Sequence, residues 1–139
     1  MQFRLVWVYG TLKQGHVRQR TMSQSRYLGV GIAEKKYKMV HISGVPALKE
    51  IEDEATPEHG IYGELYEINE ETLAEMDKIE GVNQGLYKRR PIDLETINLA
   101  FLPLAGSTHD AILSKKAEGY IFAKDIGKAR DVGSFWKRF

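Results

Sequence analysis

Cysteine is absent from the chain of 139 residues, and with it go disulfides, thiol nucleophiles and cysteine-ligated zinc. An excess of charge is missing too, because 20 Lys and Arg stand against 19 Asp and Glu, leaving no global field to draw in nucleic acid or anionic lipid. No window approaches the roughly 20 apolar residues that a membrane span requires. The one early apolar run stops at Gly10, with no cleavage-site pattern after it. His16, His41, His59 and His109 lack ligand spacing such as His-x-x-x-His, so they read as surface residues and no metal is expected. Basic residues at Lys13, Arg18, Arg20, Lys35, Lys36 and the Lys88-Arg89-Arg90 run raise a nucleic-acid module as an alternative, which the near-zero net charge opposes. The expectation is a soluble, cytoplasmic protein with no cofactor and with neither nucleic-acid nor membrane partners. No repeat, linker or low-complexity tract interrupts it, and the length suits a single domain over residues 1–139.

What the chain does have begins with "LVWVYGTLKQG". Phe3 to Tyr9 is apolar on both faces apart from Arg4, as suits a strand in the middle of a sheet. Tyr27 to Val40 reads as one long strand with a bulge or coil at Gly29 and Gly31. Gly44 to Leu48 resembles a turn with a short edge strand, and the acidic segment Glu50 to Glu58 reads as an exposed loop. "GIYGELYEI", residues 60 to 68, is the next strand, and Asn69 is a credible N-cap for a helix that starts at Glu70 and stops at Gly81. Leu86 to Leu94 follows as a strand, with Pro91 marking an edge or bulge. Residues 98 to 116 carry no readable pattern. "EGYIFAK" closes the set of strands, and "DVGSFWKRF" either packs aromatic residues over a barrel end or frays.

One carboxylate breaks the amphipathic pattern of that helix. At 3.6 residues per turn Glu80 falls about 20° from Leu73, on the apolar side, whereas Glu71, Glu75 and Lys78 gather on the opposite one. Glu80 also stands at the helix C-terminus, where unpaired carbonyls disfavour an anion. Burial and the dipole both raise a carboxyl pKa toward the range useful for proton transfer. The plainer alternative is an ion pair between Glu80 and Lys88, Arg89 or Arg90.

At the end of the first strand, Gly10 allows close backbone approach to a ligand, and the successive N–H groups of Gly10, Thr11 and Leu12 could form a nest for an anion such as a carboxylate. An ordinary turn after a central strand is the alternative. A phosphate loop is disfavoured, because the Gly-Lys-Ser/Thr ending is missing.

Taken in order, "VYGTLKQG", "GELYEI", "MDKIEGVNQGLYKRRPI", "EGYIF" and "DVGSFW" resemble the gamma-glutamylcyclotransferase-like family, over Val6 to Trp136 and most weakly at residues 95 to 115. The first motif is most similar to the gamma-glutamylamine cyclotransferase and small bacterial branches. The resemblance implies an α+β fold, a compact mixed β-barrel with flanking short helices. It implies that Tyr9, Gly10, Thr11 and Leu12 form the turn that holds the substrate's α-carboxylate and amine, and that Glu80 is the general base and acid. Tyr87 and Arg89 match the Tyr-x-Arg that follows in the family. A cavity-lining role is implied for Tyr87 and for Tyr120, beside core packing as the alternative for each, and a structural salt bridge is the alternative for Arg89. The activity implied is cleavage of a gamma-glutamyl amine or amino acid by its own α-amine, releasing 5-oxoproline, without a metal or cofactor. The runner-up is a catalytically silent small-ligand binder of the same fold.

Overall fold

The computed structural model describes residues 2–9, 25–42, 45–50, 60–79, 82–85, 87–123 and 130–133. Its strands are β1 (Phe3–Val8), β2 (Arg26–Ala33), β3 (Tyr37–Ile42), β4 (Val45–Glu50), β5 (Tyr62–Asn69), β6 (Tyr87–Leu99), β7 (Lys116–Phe122) and β8 (Arg130–Gly133). Among the described residues two α-helices accompany them, α1 (Glu70–Ile79) and α2 (Gly106–Ser114), with a short 3-10 turn at Val82–Gln84. Neither helix is long and apolar enough to cross a membrane.

Five strands close into a barrel in the order β1-β5-β2-β6-β7, and β4-β3-β8 form a separate three-stranded sheet. Antiparallel pairs make up most of the barrel, and the parallel contact of Val6 with Glu118 closes it between β1 and β7. Leu5 to Val8 are all buried, as a strand flanked on both sides requires.

The strand pleat divides the core in two. Inward residues Leu5, Trp7, Leu28, Leu65, Ile92 and Leu94 fill the barrel, extended by Met39 and Leu48 of the small sheet. Outward residues Val6, Val8, Tyr66, Ile68, Tyr87 and Tyr120 pack with Leu73 and Met76 of α1. Trp7 determines the bore. Its indole N–H donates to the Gly31 carbonyl at 2.9 Å, and a Cβ added at Gly63 would stand 2.3 Å from Trp7 Nε1. Glycine at 63 is the room the indole needs. Gly29 has a φ of +153° where the β2–β5 register shifts, and a Cβ there would meet Asn98 O at 2.1 Å. The bulge expected at Gly29 is present.

Helix α1 follows its sequence pattern. Asn69 Oδ1 accepts from the Thr72 amide at 2.8 Å as N-cap, Leu73 and Met76 are buried, and Glu71, Glu75 and Lys78 face solvent. Pro91 lies where β6 pairs only with β7, so its missing N–H falls on an open edge.

Two expectations are corrected, and one region without a sequence reading gains an element. The single strand expected from Tyr27 to Val40 is two, because Glu34, Lys35 and Lys36 turn the chain out of the barrel and into the small sheet. Three charged residues cannot continue a strand buried on both sides. The strand expected to end at Leu94 runs on to Leu99 by exchanging β7 for β2 as its partner. The unpatterned 98–116 region contains α2, whose N-cap is Ala105 with no side-chain cap bond. Glu67 supplies the cap from a distance, its carboxylate accepting the amides of Leu104 and Ala105, each at 2.9 Å. Of the C-terminal "DVGSFWKRF", Asp131 to Gly133 belong to β8, paired with β3, and the aromatic remainder lies outside the described residues.

Candidate functional site

Glu80, Gly10, Thr11 and Leu12 lie outside the described residues, as does the acidic segment after Glu50. The elements that lead into them are described. Tyr9 is the residue before Gly10, and Ile79, the last residue of α1, is the residue before Glu80.

Those two ends are connected through Tyr120. The half-buried Tyr9 hydroxyl donates to the Tyr120 carbonyl at 2.8 Å and accepts from the Leu48 amide at 2.7 Å. The ring of Tyr120 is on the outward face, where its hydroxyl donates to Asp77 Oδ1 at 2.7 Å in the last turn of α1. Tyr87 stands beside it on the same face, edge-on to Phe122 with ring centroids 5.4 Å apart. Ile79 and Val82 pack against this cluster. Tyr9 differs in the direction of its ring, which leans on Trp7 at 5.4 Å on the inward side. The structure therefore gathers Tyr87 and Tyr120 under the end of α1, and joins Tyr9 to them through a backbone carbonyl.

Arg89 forms the structural salt bridges held open as its alternative. Its guanidinium lies 3.6 Å from Asp77 Oδ2 and 3.6 Å from Glu118 Oε1. Arg4 continues the chain of charges, 3.5 Å from Glu118 and 3.3 Å from Glu70. Charge of alternating sign thus runs from the first residue of α1, across β1, β7 and β6, back to its last turn. Each such half-exposed pair is worth only about 0.2–1 kcal/mol, yet together they define where the helix ends.

Two carboxylates escaped the sequence reading. Asp77, one turn before Glu80, holds both Tyr120 and Arg89; its i, i+3 spacing to Glu80 was the available signal. Glu67 is 2 % exposed. Its burial would raise the carboxyl pKa, but the Thr108 hydroxyl, the Leu104 and Ala105 amides and the charge of Arg26 outweigh that and hold it below the ordinary glutamate value. A carboxylate held ionised in this way caps a helix and is not poised to exchange protons at neutral pH. Nearer the end of β1, Glu64 pairs across from Val8 and accepts the Tyr66 hydroxyl at 3.4 Å. Burial, and then the charge of Glu64, push the Tyr66 phenol above its usual pKa, so it stays protonated. Among the described residues no group of three or more His, Asp or Glu could hold a metal ion.

Among the described residues a closed mixed barrel of five strands carries two helices, with an aromatic cluster between one strand end and one helix end, which defines an α+β barrel fold and makes that junction the candidate site. The chain belongs to the gamma-glutamyl cyclotransferase, AIG2-like family, whose model matches residues 6–134. It is similar to a Vibrio cholerae protein described as "Putative gamma-glutamylcyclotransferase", 32% identical over 89 residues that cover 64% of this chain and 71% of the relative. A crystal structure of an AIG2-like protein from Mus musculus shares the fold with a TM-score of 0.62 and 18% identity, covering 89% of this chain and 78% of that one. A uropathogenic E. coli-specific protein shares it with a TM-score of 0.71 and 15% identity, covering 98% and 94% of the two chains. Fold and family thus agree with the resemblance carried by the sequence motifs, and the chain is gamma-glutamylcyclotransferase-like.

Proposed function

We propose that the protein is a cyclotransferase that acts on a gamma-glutamyl amine or gamma-glutamyl amino acid and releases 5-oxoproline, with Glu80 as general base and then acid. The observation that carries this reading is the bonded path Tyr9–Tyr120–Asp77, which ties the strand end preceding Gly10–Leu12 to the helix end preceding Glu80. Family membership supports the reaction class.

The nucleophile belongs to the substrate. Its α-amine attacks its own γ-carbonyl carbon; one C–N bond forms, the C–N bond to the leaving amine breaks, the α-ammonium gives one proton to solvent as it becomes the nucleophile, and its second proton travels through Glu80 to the departing nitrogen. Intramolecular attack has a high effective concentration once the folded-back conformer is held, so the protein's tasks are to hold it and to move that proton. In this reading the N–H groups of Gly10, Thr11 and Leu12 fix the α-carboxylate. Tyr87 and Tyr120 wall the cavity, and Tyr9 steadies the turn through its hydroxyl. In this reading Glu80, which in the sequence follows directly on the negative end of α1, is the carboxyl that takes up and returns the proton.

Incubation with a panel of gamma-glutamyl amines and gamma-glutamyl amino acids, followed by mass spectrometry for 5-oxoproline, tests the proposal. Turnover of at least one member that disappears in Glu80→Gln is expected. No cyclised product from any member would leave a silent ligand-binding relative as the better reading, and full turnover by Glu80→Gln would remove that residue from the chemistry.

A further inference from the structure

The Lys88-Arg89-Arg90 run is split by the pleat of β6. Arg89 turns toward α1, where Asp77 and Glu118 hold it. Lys88 and Arg90 project to the reverse side, into a groove of about 570 Å³ between the β6–β7 ribbon and the small sheet. Among the described residues its basic lining is Lys36, Lys49, Lys88, Arg90 and Lys116 and its acidic lining Glu50 and Asp93. Asp93 serves two lysines at once, Lys36 and, at 2.7 Å, Lys116. Among the described residues Lys88 and Arg90 meet no carboxylate. Gathering like charges in one groove costs Coulomb energy that counter-charge from a ligand offsets.

We propose that this groove binds a small molecule bearing a di- or triphosphate group, with the phosphates on Lys88 and Arg90 and the organic part over Ile121. A polyphosphate concentrates several negative charges within one short group, matching the neighbouring cations Lys88 and Arg90, and the guanidinium fork of Arg90 suits phosphate oxygens in pairs. Lys88 and Arg90 lie on the opposite face of β6 from Tyr87, and the proposal stands independently of the cyclisation reading.

Calorimetric titration of the full chain with inorganic pyrophosphate at low ionic strength tests the proposal, with ATP as a second probe. Saturable binding of one equivalent is expected, weakening as salt is added. Lys88 and Arg90 are both exposed, so Lys88→Gln and Arg90→Gln should fold normally by circular dichroism, each weakening binding about tenfold. Asp93→Asn releases Lys36 and Lys116 and should tighten it. Absence of saturable binding, unchanged affinity in the double Gln variant, or tighter binding of a single-stranded oligonucleotide than of pyrophosphate would overturn the proposal.

Discussion

Tyr120 donates its hydroxyl to Asp77 Oδ1 at 2.7 Å, while its backbone carbonyl accepts from Tyr9 at 2.8 Å. One residue of β7 therefore holds the last turn of α1 with its side chain and the end of β1 with its main chain. Tyr120 can be altered at the first of these bonds without touching the second.

Tyr120→Phe keeps the ring and removes the bond to Asp77. Loss of a buried hydrogen bond to a charged group should cost about 1.5–3 kcal/mol, read as a lower urea midpoint with unchanged slope. If the helix end positions the proton-transfer group, kcat for 5-oxoproline formation falls more than KM rises. A variant that loses stability but retains kcat would limit Tyr120 to packing.

Glu67 supplies a pH dependence with a definite sign. Its folded pKa lies below the ordinary value, so on acidification the unfolded chain takes up the proton first. The stability it contributes is complete above the unfolded value near ~4.3 and is lost as pH falls through the folded value. Glu67→Gln should remove that part of the acid sensitivity and, by turning an amide donor toward the Leu104 or Ala105 amide ahead of α2, destabilise by about 1–3 kcal/mol at neutral pH. Urea titrations from neutrality to pH 3 on both proteins measure it.

Gly63→Ala places a methyl group 2.3 Å from Trp7 Nε1 and 2.8 Å from the Val8 carbonyl. The indole cannot withdraw without breaking its bond to Gly31. Overpacking of this kind costs about 1–3 kcal/mol, and the backbone contact argues for the upper end. A red-shifted tryptophan emission together with a lower melting temperature is the expected signature.

Lys49 offers a different check, because it reaches from β4 to the Phe122 carbonyl of β7 at 3.0 Å and so joins the small sheet to the barrel. Lys49→Met keeps the aliphatic stem and removes the donor. It should speed amide hydrogen exchange in β3 and β4 while protection in β1 and β5 stays near wild type.

Much of this was legible in the chain itself. Leu73 and Met76 against Glu71, Glu75 and Lys78 placed α1 and its buried face correctly, Asn69 capped it, and Gly29 marked a bulge, because in each case neighbouring residues carry the cause. The split of Tyr27–Val40 was missed although Glu34-Lys35-Lys36 announced it in charge. α2 left no local trace: its cap is Glu67, far away in sequence, and Leu113 on its surface is 83% exposed, which erases the amphipathic stripe. At the site, the alternation of β6 separated Tyr87 and Arg89 from Lys88 and Arg90 by simple parity, and that parity was readable. The partners were not, since Asp77 and Glu118 reach Arg89 from two other elements.

The parallel seam between β1 and β7 has a consequence for how the molecule is made. Arg4 and Glu118, which meet across it, are 114 positions apart, so β1 waits for that whole length of chain before its second neighbour emerges from the ribosome. Until then its open edge is a place where a nascent chain can pair with the wrong strand, and the junction beneath α1 cannot assemble before β7 has been made.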